Sequence, residues 1–360
     1  MEVIYSVGSK IPGGGIGNVA YYAIDALKKR KILKKSISTG GQIVDIKFPF
    51  LNLVPSWVVK DNLFDFFSSF FVEKCSIFHG WNNMCYFAAK RAKKFGAKIV
   101  VERASSHIKT QEDLLKEEYK IWGVEGSAVN PFTLKKSLLE YEIADYILVP
   151  SEFARKSFLD WGLDPRKVKL LPFGVDLNKF KKKQKLPEKF TCLFIGQVGI
   201  RKGVQYLLKA WRNLSLKNSE LVIVGPIFPD FKKFLKDFVL PESVKFVDYS
   251  YDLPSLYKSA SVFVFPSIEE GSALVTYEAM ASGLPIITTK NSGSPIEEGK
   301  TGFIVPIRDF NSLAEKIEYF QDNPSKILEF GNNARNEIEN YSWNAYQKKL
   351  VNFYSRIKYD

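Results

Sequence analysis

The chain has 360 residues, more than the roughly 250–300 that a single hydrophobic core usually supports, so two domains are expected. Hydrophobic residues make up 46% and charged residues 25%, which excludes a disordered or fibrous chain and indicates a soluble globular protein. The 52 Lys and Arg outnumber the 39 Asp and Glu, and the net charge of +13 suits phosphates, nucleic acid or an anionic membrane surface without choosing among them.

No apolar run approaches the roughly 20 residues of a membrane-spanning helix. The chain opens on a strand-like stretch, residues 2–7, instead of a signal peptide, so residence in the cytoplasm is expected. Cys75, Cys85 and Cys192 lack metal-ligand or CxxC spacing and read as buried small apolar residues in a reducing compartment.

Short apolar, β-branched runs alternate with amphipathic stretches from end to end, the pattern of βαβ units around a parallel sheet. A first set of strands is expected at 3–7, 76–79, 98–102, 146–149 and 169–171. Between the first of these and a helix expected near Asn18 lie Gly13, Gly14, Gly15 and Gly17. Glycine lets the backbone approach a ligand closely, and a helix N-terminus offers N–H groups to a phosphate. The spacing falls short of the dinucleotide fingerprint, and a glycine-rich turn reads nearly as well. Lys28, Lys29, Arg30, Lys31, Lys34 and Lys35 follow that helix. The plain reading is a solvated helix end, where cations are favoured; the sharper one is contact with an anionic membrane.

The aromatic run 63–71 predicts a buried helix, with an interfacial helix on a bilayer as the alternative. The chain's 2 histidines, His79 and His107, fall beside the ends of the expected strands 76–79 and 98–102, as do Glu102 and Arg103; a lone histidine is more often structural, yet these stretches read as facing a cleft. A lysine-rich segment, 178–189, has little to bury and reads as a linker between an N-terminal domain, 1–177, and a C-terminal domain, 190–340. The second domain is expected to carry strands at 191–195, 221–224, 244–247, 262–265 and 286–288. The last segment, 341–360, contains an amphipathic helix near 343–357 that could pack on either domain.

In open parallel sheets ligands bind beyond the carboxyl ends of the strands, and two motifs fall there. Gly196-Gln197-Val198-Gly199-Ile200-Arg201-Lys202-Gly203 follows one strand, and its two cations would lie where a pyrophosphate could bind. A surface loop with exposed charges is an equal reading of that segment alone. The run 266–285 follows another strand, with Glu270 in the loop and Glu278 on the next helix. Between them Gly271, Ser272, Ala273, Leu274 and Val275 leave N–H groups available to phosphates.

These strings, with Ala144-Asp145-Tyr146-Ile147-Leu148-Val149-Pro150-Ser151 and Pro172-Phe173-Gly174-Val175-Asp176, resemble the retaining glycosyltransferases of family 4, group 1. The resemblance covers nearly the whole chain and is strongest in its second half. It implies an α/β GT-B fold, two Rossmann-like doubly wound domains facing a cleft. It further implies transfer from a nucleotide-diphosphate-sugar, UDP or GDP, to a glycan or lipid-linked acceptor with retention at the anomeric carbon. The resemblance assigns Glu270 to the donor sugar, Glu278 to the ribose and Lys202 to the pyrophosphate.

Gly14, Gly15, Gly196, Gln197, Tyr249 and the 271–275 stretch complete the expected donor site, and His79, Glu102, Arg103 and His107 the acceptor site. Gln197 departs from the family, which commonly has arginine there, and Arg201 is the expected substitute charge. Neither a metal nor another cofactor is expected, because cationic side chains can replace the ion. No nucleic-acid motif accompanies the positive charge, whereas peripheral association with the inner membrane face stays open. A GT-B epimerase, a phosphorylase or a silent nucleotide-sugar-binding module would share the architecture.

Overall fold

In the computed structural model, which describes residues 1–125, 128–183, 185–248, 250 and 252–357, the chain divides into two compact units. The first comprises Met1–Glu112, Val129–Phe173 and the chain from Trp343 onward; the second comprises Asp113–Ala128 and Gly174–Ser342.

The chain runs in order through β1 (Val3–Ile11), α1 (Gly14–Lys29), β2 (Leu33–Gly41), β3 (Ile46–Lys47), α2 (Trp57–Ser69), β4 (Ile77–Trp81), α3 (Tyr86–Lys94) and β5 (Lys98–Glu102). It continues through α4 (Ile108–Trp122), α5 (Pro131–Ile143), β6 (Tyr146–Val149), α6 (Glu152–Asp160) and β7 (Val168–Leu170). The first unit's strands form one seven-stranded sheet ordered β3-β2-β1-β4-β5-β6-β7, with parallel pairings throughout. Strands covered on both faces carry near-continuous apolar runs, as Val3, Ile4, Tyr5 and Val7 do in β1, all 0% exposed.

The second unit holds β8 (Phe190–Ile195), α7 (Val204–Asn213), β9 (Ser219–Val224), α8 (Pro229–Asp237), β10 (Val244–Val247), α9 (Leu253–Ser259), β11 (Val262–Phe265), α10 (Leu274–Ala281), β12 (Ile286–Thr289), β13 (Gly302–Val305), α11 (Phe310–Asp322) and α12 (Pro324–Ile338). Its six-stranded parallel sheet is ordered β10-β9-β8-β11-β12-β13, so the winding reverses between β8 and β11. Most of α4 counts with this unit. Its buried Glu118 accepts from Tyr206 Oη at 3.0 Å and Gln205 Nε2 at 3.2 Å and pairs with Arg308.

The terminal helix α13 (Trp343–Ile357) returns to the first unit. It buries Tyr346, Leu350, Tyr354 and Ile357, a helical stripe. Trp343 stacks on Tyr22 at 4.2 Å, and Gln347 Nε2 donates to Tyr22 O at 2.9 Å and Asp25 at 2.8 Å. Beneath the helix, the Tyr354 hydroxyl bonds His79 Nδ1, and His79 Nε2 lies 3.0 Å from the Glu102 carboxylate.

Several expectations change. Helix α1 starts at Gly14, four residues before Asn18. Lys34 and Lys35 lie on β2, a strand the sequence hid behind its lysines, and are engaged by Glu2 and Glu73, so the cationic run is not one helix end. In α2 only Phe64, Asp65 and Ser68 are buried, which overturns the reading of a buried aromatic helix. The segment 178–189 is packed, not an open linker: Phe180 is 3% exposed and Lys183 Nζ donates to Ala260 O at 2.6 Å. Burial pulls Lys183 down to about 7.

Removing the Tyr354 hydroxyl leaves a buried imidazole nitrogen without its partner. Tyr354→Phe is expected to cost about 1–3 kcal/mol of unfolding free energy, measured by urea titration. A midpoint equal to wild type would show that the bond contributes nothing to seating α13.

Candidate active site

Two loops of the second unit meet at the carboxyl ends of β8 and β11, where the sheet winding reverses and open α/β sheets bind ligands. After β8 the chain makes a single 3₁₀ turn, Ile200–Lys202, and enters α7 through Gly203. Gly203 has φ +71°, and a Cβ there would fall 2.0 Å from Pro266 O, so only glycine lets the two loops approach this closely. The Ile268 amide donates to Arg201 O at 2.9 Å and the Ser267 hydroxyl donates to the same oxygen at 3.2 Å.

This contact puts two cations beside two carboxylates. Arg201 Nη2 lies 2.9 Å from Glu269 Oε2 and 3.9 Å from Glu270 Oε2, and its Nε donates to Glu269 O at 3.1 Å. Lys202 forms an ion pair with Glu270. Glu269 is fully buried, and the Lys202 and Glu270 side chains are 13% and 12% exposed. Burial, reinforced by Arg201 and opposed by Glu269, holds the Lys202 ammonium well below its ordinary pKa. The charged form is therefore costly unless an anion stands close.

The loop from 266 to 273 is braced by the turn after β12. Glu270 N donates to Asn291 O at 3.0 Å, Ala273 N to Ser292 O at 3.1 Å, and the Ser272 hydroxyl to Gly293 O at 2.8 Å. Leu274 and Val275 open α10, whose N-cap, Ala273, contributes no side-chain hydrogen bond. Gly271 and Ser272 are buried in the preceding loop. Glu278 lies one turn further along α10 and accepts from Tyr257 Oη at 2.9 Å. Burial raises its carboxyl to about 7, against the lowering effects of Tyr257 and Lys179.

Gln197 is exposed, Gly196 opens the same loop, and Arg201, the expected substitute charge, is turned onto Glu269. Tyr249 lies outside the described residues.

Sequence reasoning missed three supports. Asp230, near the start of α8, is hydrogen-bonded by the Ile200 backbone and by Tyr119, and burial raises its carboxyl. It therefore holds the turn carrying both cations. Asn291 and Tyr257 steady Glu270 and Glu278. None is visible in the sequence, because each reaches its partner across the fold.

The remaining expected residues belong to the first unit. Gly14 and Gly15 form the first turn of α1, and Gly17 has a packing reason of its own, since a Cβ there would be 2.2 Å from Lys10 O. His79 and Glu102 are 0% and 2% exposed and face each other, Tyr354 and Tyr5 inside the unit, where they seat α13. Arg103 is also turned inward, donating to Ser106 O at 3.0 Å, Asn82 Oδ1 at 2.6 Å and Gln111 Oε1 at 2.6 Å. His107 lies against Trp161 and edges a cavity of about 260 Å³. Burial, then Arg103 and Lys109, hold it at about 3, so it is neutral at physiological pH. Among the described residues no group of three or more His, Cys, Asp or Glu is arranged to hold a metal.

Two Rossmann-like units of this construction define the GT-B class of glycosyltransferase fold. The fold is shared with the sucrose-phosphate synthase of Thermosynechococcus elongatus (TM-score 0.72, 19% identity, 99% of each chain). It is shared too with Anabaena HepE in complex with UDP and glucose (TM-score 0.71, 17% identity, 99% of this chain and 100% of that one). Residues 176–337 match the family described as glycosyl transferases group 1.

Among curated relatives, the Staphylococcus aureus capsular polysaccharide biosynthesis glycosyltransferase CapM is 31% identical over 177 residues, 47% of each chain. The Escherichia coli UDP-Gal:alpha-D-GlcNAc-diphosphoundecaprenol alpha-1,3-galactosyltransferase is 30% identical over 199 residues, 49% of this chain and 51% of that one. The chain spans about half the length of the curated relatives it matches.

The Glu278 carboxyl fixes a sign. Its folded value, about 7, lies above the ordinary 4.5, so its contribution to stability is present below pH 4.5 and is lost as pH rises through 7. Glu278→Gln is expected to lose less stability than wild type over that window, read from urea midpoints at both ends. A constant difference between the two proteins would contradict this.

Proposed function

We propose that the protein is a retaining glycosyltransferase that moves a sugar from a nucleotide-diphosphate-sugar to a glycan or lipid-linked acceptor, forming an α-glycosidic bond. The observation that carries the reading is the paired cluster Arg201–Glu269 and Lys202–Glu270 beside the first turn of α10. A diphosphate entering there draws Lys202 and Arg201 to itself, and the charge that develops on the leaving group is met by those cations and by the α10 amides. Glu270, released from Lys202, accepts hydroxyls of the donor sugar, and Glu278 those of the ribose. The charges needed at the leaving group are supplied by the chain itself, so the reading is metal-independent.

HepE's complex with UDP and glucose supports UDP as the nucleotide, with GDP second. The E. coli relative, named for action on a diphosphoundecaprenol-linked sugar, supports a lipid-linked acceptor. Acceptor recognition falls to the first unit, and a role at the inner membrane face follows from such an acceptor. Three free, buried cysteines suit the reducing cytoplasm.

Thermal-shift titration with UDP-, GDP- and ADP-sugars, followed by an assay of nucleotide release with and without a pooled lipid-linked glycan fraction, tests the reading. One donor is expected to stabilise the protein, with release dependent on acceptor. Release that needs no acceptor, or no stabilisation by any donor, contradicts it. Arg201→Ala is expected to weaken donor binding by about tenfold, roughly 1.4 kcal/mol, and Gln197→Arg in that background to restore it. Unchanged affinity in Arg201→Ala would remove Arg201 from the site.

A further inference from the structure

The first unit contains a groove lined by none of the residues expected at the donor or acceptor site. Helices α2, α3 and α5 line an open groove of about 510 Å³, inside the roughly 300–1,000 Å³ range of small-molecule sites. Its walls are chiefly Val58, Val59, Leu63, Phe87, Phe132 and Leu139, with Lys135 and Lys136 among the few polar members.

The groove is built into the fold. Under it, the buried Asp65 of α2 accepts from the Phe87 and Ala88 amides at 3.1 Å each, in the first turn of α3. The same carboxylate pairs with Lys136 of α5 at 2.8 Å, and Lys136 also donates to Asn62 Oδ1 at 3.2 Å. One carboxylate thus ties the three walls together and caps a helix while doing so.

The mouth opens beside an unpartnered apolar face. On α2, Val59, Leu63, Phe66 and Phe70 follow the spacing of one helical face, and Trp57, Val59, Phe66 and Phe70 are 55%, 50%, 48% and 56% exposed. Across the groove Phe132 is 76% exposed. Apolar surface of this extent marks an interaction site. The charged side chains alongside are cationic, Lys60 and Lys135, and burial pushes Asp61, the acid between Lys60 and Asn62, up to about 7. A second copy of this chain would bring the same lysines, and a net charge of +13, against themselves. Exposed Trp and Phe beside lysines are the composition of a surface resting at a lipid interface.

We propose that the groove between α2, α3 and α5 takes one hydrocarbon chain of an anionic lipid, with Lys135 at the mouth meeting the phosphate and the Trp57, Phe66 and Phe70 face lying in the lipid surface. The inference goes beyond the proposed function in naming a lipid-chain site on α2, α3 and α5, and it is argued from that surface without any nucleotide or sugar contact.

Titration calorimetry with dodecyl phosphate below its micelle concentration, and with butyl phosphate, tests it on the full chain. Dodecyl phosphate is expected to bind at least about tenfold more tightly, because the longer chain buries more methylenes. Val59→Asp combined with Phe132→Ser, both at exposed positions, is expected to abolish that preference. Lys135→Glu is expected to weaken dodecyl phosphate several-fold, and flotation with phosphatidylglycerol vesicles, but not phosphatidylcholine vesicles, to carry the wild-type protein. Equal binding of the two phosphates, or dodecyl phosphate binding untouched by either variant, would overturn the proposal. So would a wild-type dimer in sedimentation that the double variant converts to monomer, since that assigns the face to a second copy. Failure here leaves the donor site untouched, and a failed donor screen leaves these titrations readable.

Discussion

The second unit turns on a contact of backbone against backbone. Because Gly203 has no side chain, the turn after β8 can lie on Pro266 O, and Arg201 and Lys202 arrive beside Glu269 and Glu270. Buried ions are costly unless paired, and the pairing here is internal: each cation has a carboxylate of its own. The site is therefore poised. On the proposed reading a diphosphate would bring negative charge to Lys202, already largely desolvated, where the electrostatic gain is larger than at a solvated surface. Asp230, bonded to the Ile200 backbone, and the turn at Asn291 and Ser292 keep the two loops from drifting apart.

Much of this was legible in the chain. The strands of both units stand close to where β-branched runs place them, and β5, β6, β10 and β11 coincide with their expected bounds. What the periodicity could not show is instructive. β2 reads Leu-Lys-Lys-Ser-Ile-Ser-Thr-Gly-Gly, and its lysines mask a strand whose apolar contribution is Ile37. β13 hides similarly, since Phe303 and Ile304 are only partly buried. The assignment of residues 113–128 to the second unit depends on Glu118 meeting Tyr206, Gln205 and Arg308, partners 87 or more residues away.

The site divides the same way. Glycine spacing and the Glu270–Glu278 interval marked the two loops that meet beyond β8 and β11, because local backbone demands leave local signatures. The two histidines do not fall alike, for a polar residue at a strand end can face a ligand or seal a seam. His79 does the second, with Glu102 and Tyr354, since the apolar stripe of α13 brings a hydroxyl down onto it. The long aromatic run misled: half of it stays outside the core, on the face beside the α2–α3–α5 groove.

The central claim is that the turn carrying Lys202 reads a diphosphate. Calorimetric affinities of a nucleoside diphosphate and the matching monophosphate, measured for wild type and for Lys202→Met, test it most directly. The account predicts that wild type prefers the diphosphate by about tenfold or more, equivalent to about 1.4 kcal/mol, and that Lys202→Met binds the two nearly alike. A preference that survives intact in the variant would contradict it.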